Sequence, residues 1–429
     1  MRKNSSAGGV GTEPEVEYAQ QAAGEYPYRC PPAVAGSSGG LHTVTGHAPA
    51  EPSGGRIEKY WNPDHPVLEI LRRRRDSGST PGNRRDSAKV ALTVAGGGMR
   101  GAISAAMCAQ LEDAGFRDAF DIVYGCSAGA INAAYFLSQP TGTCWYPLSI
   151  YYEDLSRGRL IRYSGPLRGR PALDLDYVFE EVLGSKKPLH YGAAVGSQAS
   201  LVVLTTDLDA RETYAARDFA SEEELKAFLR AGARPPLAVR GESHIDGRRL
   251  VDGALLAPPQ FRLALADGCT HVLALGTRRF RRTDTGISNH AAGVTLANRA
   301  YARYLERLRD GLGPAYLAAI RRRRGDRERL FRLGFASDGP GPHVLSIAPL
   351  PWMNPIRFHD TDPNRIFEGI RDAYAVSHCA TEGIGVGNLR DGLVRTVPRV
   401  AVAGPGGPRT RQIRHPAGTG GAELLVSQQ

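Results

Sequence analysis

A serine between two glycines, in the run YGCSAGAIN, is where this sequence first suggests chemistry. Gly125, Ser127 and Gly129 form G-x-S-x-G between FDIVYGCS, which reads as a strand, and AGAINAAYFLS, which reads as a helix. Glycines there permit the sharp turn that projects a nucleophile off the end of a sheet, and the free N–H groups of the next helix favour negative charge. A serine hydroxyl is a weak nucleophile and needs a base. The histidines that follow, His190 and His271 among them, sit in no distinctive motif; His271, at the start of an apolar strand, is the candidate for a serine–histidine triad. Asp252 has a better setting. In RRLVDGALLAPP it ends an apolar strand just before Gly253 and Ala254, and strand ends are where α/β sheets build their sites.

A second glycine cluster lies upstream, in KVALTVAGGGMRG. Gly96, Gly98 and Gly101 satisfy G-x-G-x-x-G after an apolar run, as a dinucleotide-binding turn does. That reading also wants an acidic residue at the end of the second strand to hold a ribose. Asp121 has the spacing but stands at the start of DIVYG, and the strand ends in Ser127 instead. The dinucleotide reading is therefore disfavoured.

The elements that must carry these residues alternate. VALTVAGGG, FDIVYGCS, ASLVVLTTDLD, RRLVDGALLAPP, THVLALGTR and HVLSIAPL read as strands, and AISAAMCAQLEDAG, AGAINAAYFLS, EEELKAFLRAG and PNRIFEGIRDAYAVSHCATEG as helices. Such alternation predicts an α/β fold, a three-layer α/β/α sandwich around a largely parallel central sheet. Residues 1–58 and 398–429 are Gly/Pro-rich, with little periodicity, and are expected to be a disordered leader and a flexible tail. Residues 59–86 read as a short amphipathic helix (HPVLEILRRRR) and a linker, and 87–397 as the main domain, arginine-rich and helical from about 280 to 340.

GGGMRG at Gly96–Gly101, GCSAG at Gly125–Gly129 and DGA at Asp252–Ala254, in that order, resemble the pattern of the patatin-like phospholipase family. The likeness extends from about Lys89 to Arg279 and is looser from 280 to 390. It implies a serine acyl hydrolase working on phospholipids or related acyl lipids through a Ser127–Asp252 dyad, with no cofactor and no metal. Ser127 would be the nucleophile and Asp252 the proton acceptor. The oxyanion would rest on the glycine turn formed by Gly96, Gly97, Gly98, Met99, Arg100 and Gly101, most closely on the N–H groups around Gly97 and Gly98. Arg100 would either add charge near the oxyanion or a lipid phosphate, or make a structural ion pair. Cys126, in the variable position before the serine, reads as a small packing residue.

The net charge of +10 comes largely from arginine runs at Arg72–Arg75, Arg278–Arg282 and Arg321–Arg324. These read as solvated faces or as contacts for a polyanion, with an anionic membrane preferred over nucleic acid because no stacking aromatics are interleaved. A non-enzymatic basic protein, bound to a membrane surface or nucleic acid on a hydrolase scaffold, is the alternative function. The N-terminus lacks the apolar core of a secretory signal, and no window reaches the ~18 apolar residues of a membrane span, so the expected location is cytoplasmic, with peripheral membrane contact. The six scattered cysteines form no C-x-x-C pair and no disulfide framework.

Overall fold

Short runs of apolar residues dominate the strands because these are covered on both faces. In chain order the strands are β1 Val90–Val94, β2 Ile122–Cys126, β3 Ser200–Asp207, β4 Glu212–Ala216, β5 Ser243–Ile245, β6 Arg248–Asp252, β7 His271–Leu275 and β8 His343–Ile347. They form one eight-stranded sheet in the order β8-β7-β1-β2-β3-β6-β5, with β4 also pairing β3. The five strands from β8 to β3 run parallel; β4, β6 and β5 add an antiparallel edge. This computed structural model describes residues 60–138, 146–162, 168–283, 286–288, 294–335, 339 and 341–383, and strands at 28–29, 401–402, 410–413 and 424–427.

The eight helices relevant to the site are α1 Pro66–Asp76, α2 Gly101–Asp113, α3 Ala128–Ser138, α4 Glu222–Gly232, α5 Gln260–Ala266, α6 Leu296–Leu308, α7 Leu312–Leu333 and α8 Pro363–Glu382. On one sheet face, Ala91, Ile122, Tyr124, Val202, Leu204 and Val272 pack with Phe261 of α5 and against Leu330 and Leu333 of α7. Side chains alternate across a strand, so the intervening residues point the other way, where α3 lies against β1, β2 and β3, and α2 and α8 pack beyond it. The fold is thus the three-layered, largely parallel α/β class read from the sequence. Two strands of this sheet were not anticipated, nor was the antiparallel pair Arg281–Thr283 with Gly286–Ser288, in a stretch read as helical. ETYAA (β4) and SHI (β5) are short and polar, and form because β3 and β6 offer them unpaired edges.

Helix α2 has a composition suited to burial. GAISAAMCAQLED supplies small residues all round, and every one of them except Asp113 is buried. One member conflicts with that setting. Glu112 is buried with Oε1 lacking a hydrogen-bond partner, and burial raises its pKa to about 8. A carboxyl whose folded pKa lies above its unfolded value loses stability as pH rises from the unfolded value towards the folded one. Glu112→Gln is therefore expected to be more stable than the native protein at pH 8, by about 2 kcal/mol or more, with the gain vanishing near pH 4.5. Chemical denaturation at the two pH values checks this.

Residues 60–86 pack onto the same fold. The side chain of His65 caps α1 by accepting from the Val67 N–H (3.2 Å), and Val67, Ile70 and Leu71 are buried. Arg74, from an arginine run read as a solvated face, is fully buried and pairs with Asp86 (2.8 Å) and Asp121 (2.9 Å). Asp86 thereby ties the supposed linker to the helix. Asp121 also accepts from Arg84 and from the Val90 N–H (2.7 Å), a structural role at the edge of the sheet where β1 begins.

By compactness the chain divides into two units, residues 33–397 and the two ends taken together, 1–32 with 398–429. In the second unit, Tyr28–Arg29 pairs antiparallel with Ala401–Val402, and Thr410–Ile413 with Leu424–Ser427. These strands stand where the sequence suggested a structureless leader and tail; the rest of those segments lies outside the described residues.

Candidate active site

Strand register carries Ser127 and Asp252 to one level of the sheet. Cys126, at the end of β2, pairs with Leu204 of β3, and the next residue of β3, Thr205, pairs with Asp252 at the end of β6. Ser127 therefore leaves β2 beside Leu204, and Asp252 stands opposite the very next residue of the same strand. Their side chains converge: Ser127 Oγ donates to Asp252 Oδ2 at 2.9 Å, and both residues are buried. Ser127 has φ +55, the left-handed conformation that a strand-to-helix elbow imposes on the residue at its tip.

Asp252 is fixed by four contacts. Its N–H donates to the Arg234 carbonyl (3.0 Å), its carbonyl accepts from Thr206 Oγ1 (3.0 Å), and Oδ1 accepts from the Ala254 N–H (2.8 Å), leaving Oδ2 to the serine. Burial raises its pKa to about 6, and hydrogen bonds from Ala254 and Ser127 with the nearby Arg323 charge hold it from rising further. Gly253 is required by space. A Cβ there would meet the Leu204 backbone of β3.

The two glycine clusters fit against each other. A Cβ on Gly129 would strike the Val94 carbonyl, and one on Gly96 would strike the Cys126 carbonyl and stand 2.9 Å from the Gly129 nitrogen. Gly125 likewise lies against Ala130. The turn after β1 can seat beside the elbow only because these positions lack side chains. Gly96→Ala is expected to cost about 2 kcal/mol or more in stability, as an overpacked contact between backbones does, and to lower ester turnover in the surviving folded protein. Thermal melts beside an esterase assay check both.

Within the turn, Gly97 (φ +133) and Gly98 (φ +58) adopt conformations open to glycine, and among the described hydrogen bonds their N–H groups donate to nothing. The other proposed oxyanion residues are differently engaged. The Met99 N–H donates to the Phe358 carbonyl (3.0 Å), the Gly101 N–H goes to the Gly98 and Met99 carbonyls, and Gly96 is a packing contact. Arg100 makes no ion pair among the described residues. Its Nε is buried without a hydrogen-bond partner, and the guanidinium sits 6.0 Å from the Phe358 ring.

His271 lies at the opposite end of the sheet. It pairs with Val90 at the start of β1, whereas Ser127 follows the end of β2, a full strand length away, so the triad reading is corrected. Asp121, bound to Arg74 and Arg84, is no ribose ligand. Cys126 is partly buried, and desolvation with the Asp252 charge pushes its thiol up to about 12, so it stays protonated. Cys108, Cys126, Cys269 and Cys379 are free; Cys30 and Cys144 lie outside the described residues. Among the described residues no three His, Cys, Asp or Glu side chains gather as metal ligands.

Residues not singled out beforehand support the site from behind. Asn132 of α3 donates to the Gly101 carbonyl (2.8 Å) and accepts from Tyr151 (3.1 Å), and Ser104 donates to the Ala95 carbonyl (2.8 Å). A lone asparagine in the apolar run AGAINAAYFLS was the available signal.

Two cavities open from Ser127. One is narrow, about 70 Å³, and apolar, with walls from Ile131, Ile150, Tyr151, Leu155, Val178 and Leu183. The other, about 270 Å³, lies between the ends of β1 and β7 and includes Arg100, Arg278, Arg323 and Arg327.

No curated protein matches this sequence. Among solved structures, the crystal structure of VipD from Legionella pneumophila is similar over 73% of this chain and 73% of its own, with 11% identity and a TM-score of 0.34, a likeness too loose to carry an argument. Residues 92–265, which span the glycine turn, the elbow and the Asp252 strand end, match the patatin-like phospholipase family.

Proposed function

We propose that the protein is a serine acyl hydrolase that cleaves carboxylic esters of phospholipids or related acyl lipids, with Ser127 as nucleophile and Asp252 as its base. The observation that carries this reading is the 2.9 Å hydrogen bond from Ser127 Oγ to a buried carboxylate at the end of a neighbouring strand. Ser127 Oγ attacks the acyl carbonyl carbon while its proton passes to Asp252 Oδ2. The oxyanion takes the free Gly97 and Gly98 N–H groups; losing one such donor typically costs about 3 kcal/mol of barrier. Collapse breaks the ester C–O bond, and the leaving alkoxide takes the proton from Asp252, leaving acyl-Ser127. Water then attacks, giving a proton to Asp252, and the fatty acid departs as Ser127 is reprotonated.

A carboxylate raised towards pH 6 by burial is a stronger base than an exposed one and is still ionised at neutral pH. The apolar cavity suits the acyl chain, which would lie against α3 and the wide helical turn Ile150–Asp154. Among the described residues no helix is long and apolar enough to cross a membrane. Contact with lipid is proposed as peripheral, with Trp352 and Phe358, both exposed, on the loop that closes over the glycine turn.

A panel of nitrophenyl esters and fluorogenic phospholipids, run beside Ser127→Ala, tests the proposal. Hydrolysis above the variant's level is the expected result; no difference on any ester would overturn it.

A further inference from the structure

The cavity between the ends of β1 and β7 lies at the point in the sheet where chain connections diverge, β1 leading to β2 on one side and β7 standing on the other. Open α/β sheets place ligands in that crevice. Here it is cationic. Arg100, Arg278, Arg323 and Arg327 line it, and no Asp or Glu is among its described lining residues. A wider cavity of about 460 Å³ continues outward, sharing Arg100, Thr277, Arg278 and Arg327 with the first and adding Arg279, again with no acidic residue among the described ones.

Two of these guanidinium groups have no carboxylate in contact among the described residues, although Asp252 lies near Arg323. Arg323 donates from Nε to the Ala257 carbonyl (3.0 Å) and from Nη2 to the Leu255 carbonyl (2.9 Å), which orients it without neutralising it. Arg100 packs against the glycine turn, so closely that a Cβ on Gly97 would stand 2.8 Å from its Nη2, and its buried Nε donates to nothing. Burial, with the Arg278 charge adding to it, lowers the pKa of Arg100 to about 10, a cost of desolvation that a bound anion would offset.

Ser127 borders both this crevice and the apolar cavity. With the acyl chain in the apolar cavity, the alcohol half of an ester held at Ser127 is left to face the crevice. Arginine recognises phosphate through paired, charge-assisted hydrogen bonds. We propose that the crevice is a subsite for a phosphate on the leaving alcohol, so that the preferred substrates are acyl esters with a net anionic headgroup, a phosphomonoester above all. The ammonium of a zwitterionic headgroup would meet several guanidinium groups and, among the described lining residues, no carboxylate. This inference rests on the acyl-hydrolase reading.

The test compares kcat/KM on three esters sharing one acyl chain: a monoacylglycerol phosphate, a monoacyl glycerophosphocholine and an uncharged monoacylglycerol. The phosphomonoester is expected to lead by about ten-fold to a hundred-fold, the usual weight of a charge-assisted hydrogen bond. Arg278→Gln and Arg327→Gln should pull that ratio towards one. Should those variants fail to fold, calorimetry on Ser127→Ala with inorganic phosphate and with glycerol 3-phosphate reads the crevice directly, with binding expected and weakened by salt. Equal rates on the three esters would overturn the headgroup assignment even if phosphate bound, since the crevice would then take free anions only. Absence of binding would overturn the anion subsite. Failure to cleave any ester would sink the acyl-hydrolase reading and the headgroup assignment with it, while phosphate binding would still decide whether the crevice takes anions.

Discussion

Replacing Ser127 with alanine is expected to lower ester hydrolysis by about five to six orders of magnitude, the scale seen when the nucleophile of a serine hydrolase is removed. The size follows from the site's economy: among the described contacts, Asp252 Oδ2 has Ser127 Oγ as its hydrogen-bond donor, and the adjacent Cys126 thiol is held protonated by desolvation. Folding should survive. Alanine keeps the backbone that the elbow needs, and Asp252 retains the Ala254 N–H and Thr206 contacts. Its carboxyl loses one bond that favours ionisation, so its pKa should rise further in the variant. A melting temperature near that of the native protein, with rates at the uncatalysed level, is the expected pair of results.

Asp252→Asn is the second large effect, a loss of about three to four orders of magnitude. The amide is nearly the same shape and can still accept from the Ala254 N–H. It cannot accept the proton of Ser127, and its own N–H₂ would donate towards Oγ where the carboxylate had accepted. The native enzyme should show an acid limb in kcat/KM: as pH falls through about 6, Asp252 becomes protonated and activity drops, and the limb should be missing from the residual activity of the variant. Stability should move the other way. Asp252 has a folded pKa above its unfolded value, so the native protein loses stability as pH rises from about 3.8 to about 6, and the amide carries no such cost. At pH 7 the variant should therefore be the more stable protein and the far slower one. An acid limb near pH 4 would show that Asp252 is not desolvated as described.

The sequence made the ingredients of the site visible, while their arrangement depended on pairing. G-x-S-x-G, D-G-A and the glycine turn could be seen, and so could the alternation that makes a parallel sheet. The level at which Ser127 and Asp252 meet is set by two registers, Cys126 with Leu204 and Thr205 with Asp252, and register leaves no mark on residue type. The same limit explains His271, plausible by composition and excluded by its place at the wrong end of a parallel strand. Glycine roles were likewise hidden: Gly96 looks like its neighbours in sequence, yet it is a packing contact, while Gly97 and Gly98 keep free N–H groups.

Arginine was the residue most easily misread. A run such as Arg72–Arg75 on a helix reads as a solvated face, but at 3.6 residues per turn one member of four faces inward. Arg74 does so and finds two carboxylates. In Arg321–Arg324 it is Arg323 that turns inward, to backbone carbonyls beside the crevice at Ser127, and its neighbours remain exposed. Local composition could not separate these fates, because what differs is the chain packed against each helix.

The central claim is that Ser127 is an activated nucleophile because Asp252 accepts its hydrogen bond. Fluorophosphonate labelling followed by peptide mass spectrometry tests it most directly. The account predicts one adduct, on the peptide containing Ser127, absent in Ser127→Ala and formed far more slowly in Asp252→Asn. An adduct on a different residue, or labelling of Ser127 at an unchanged rate in Asp252→Asn, would contradict it.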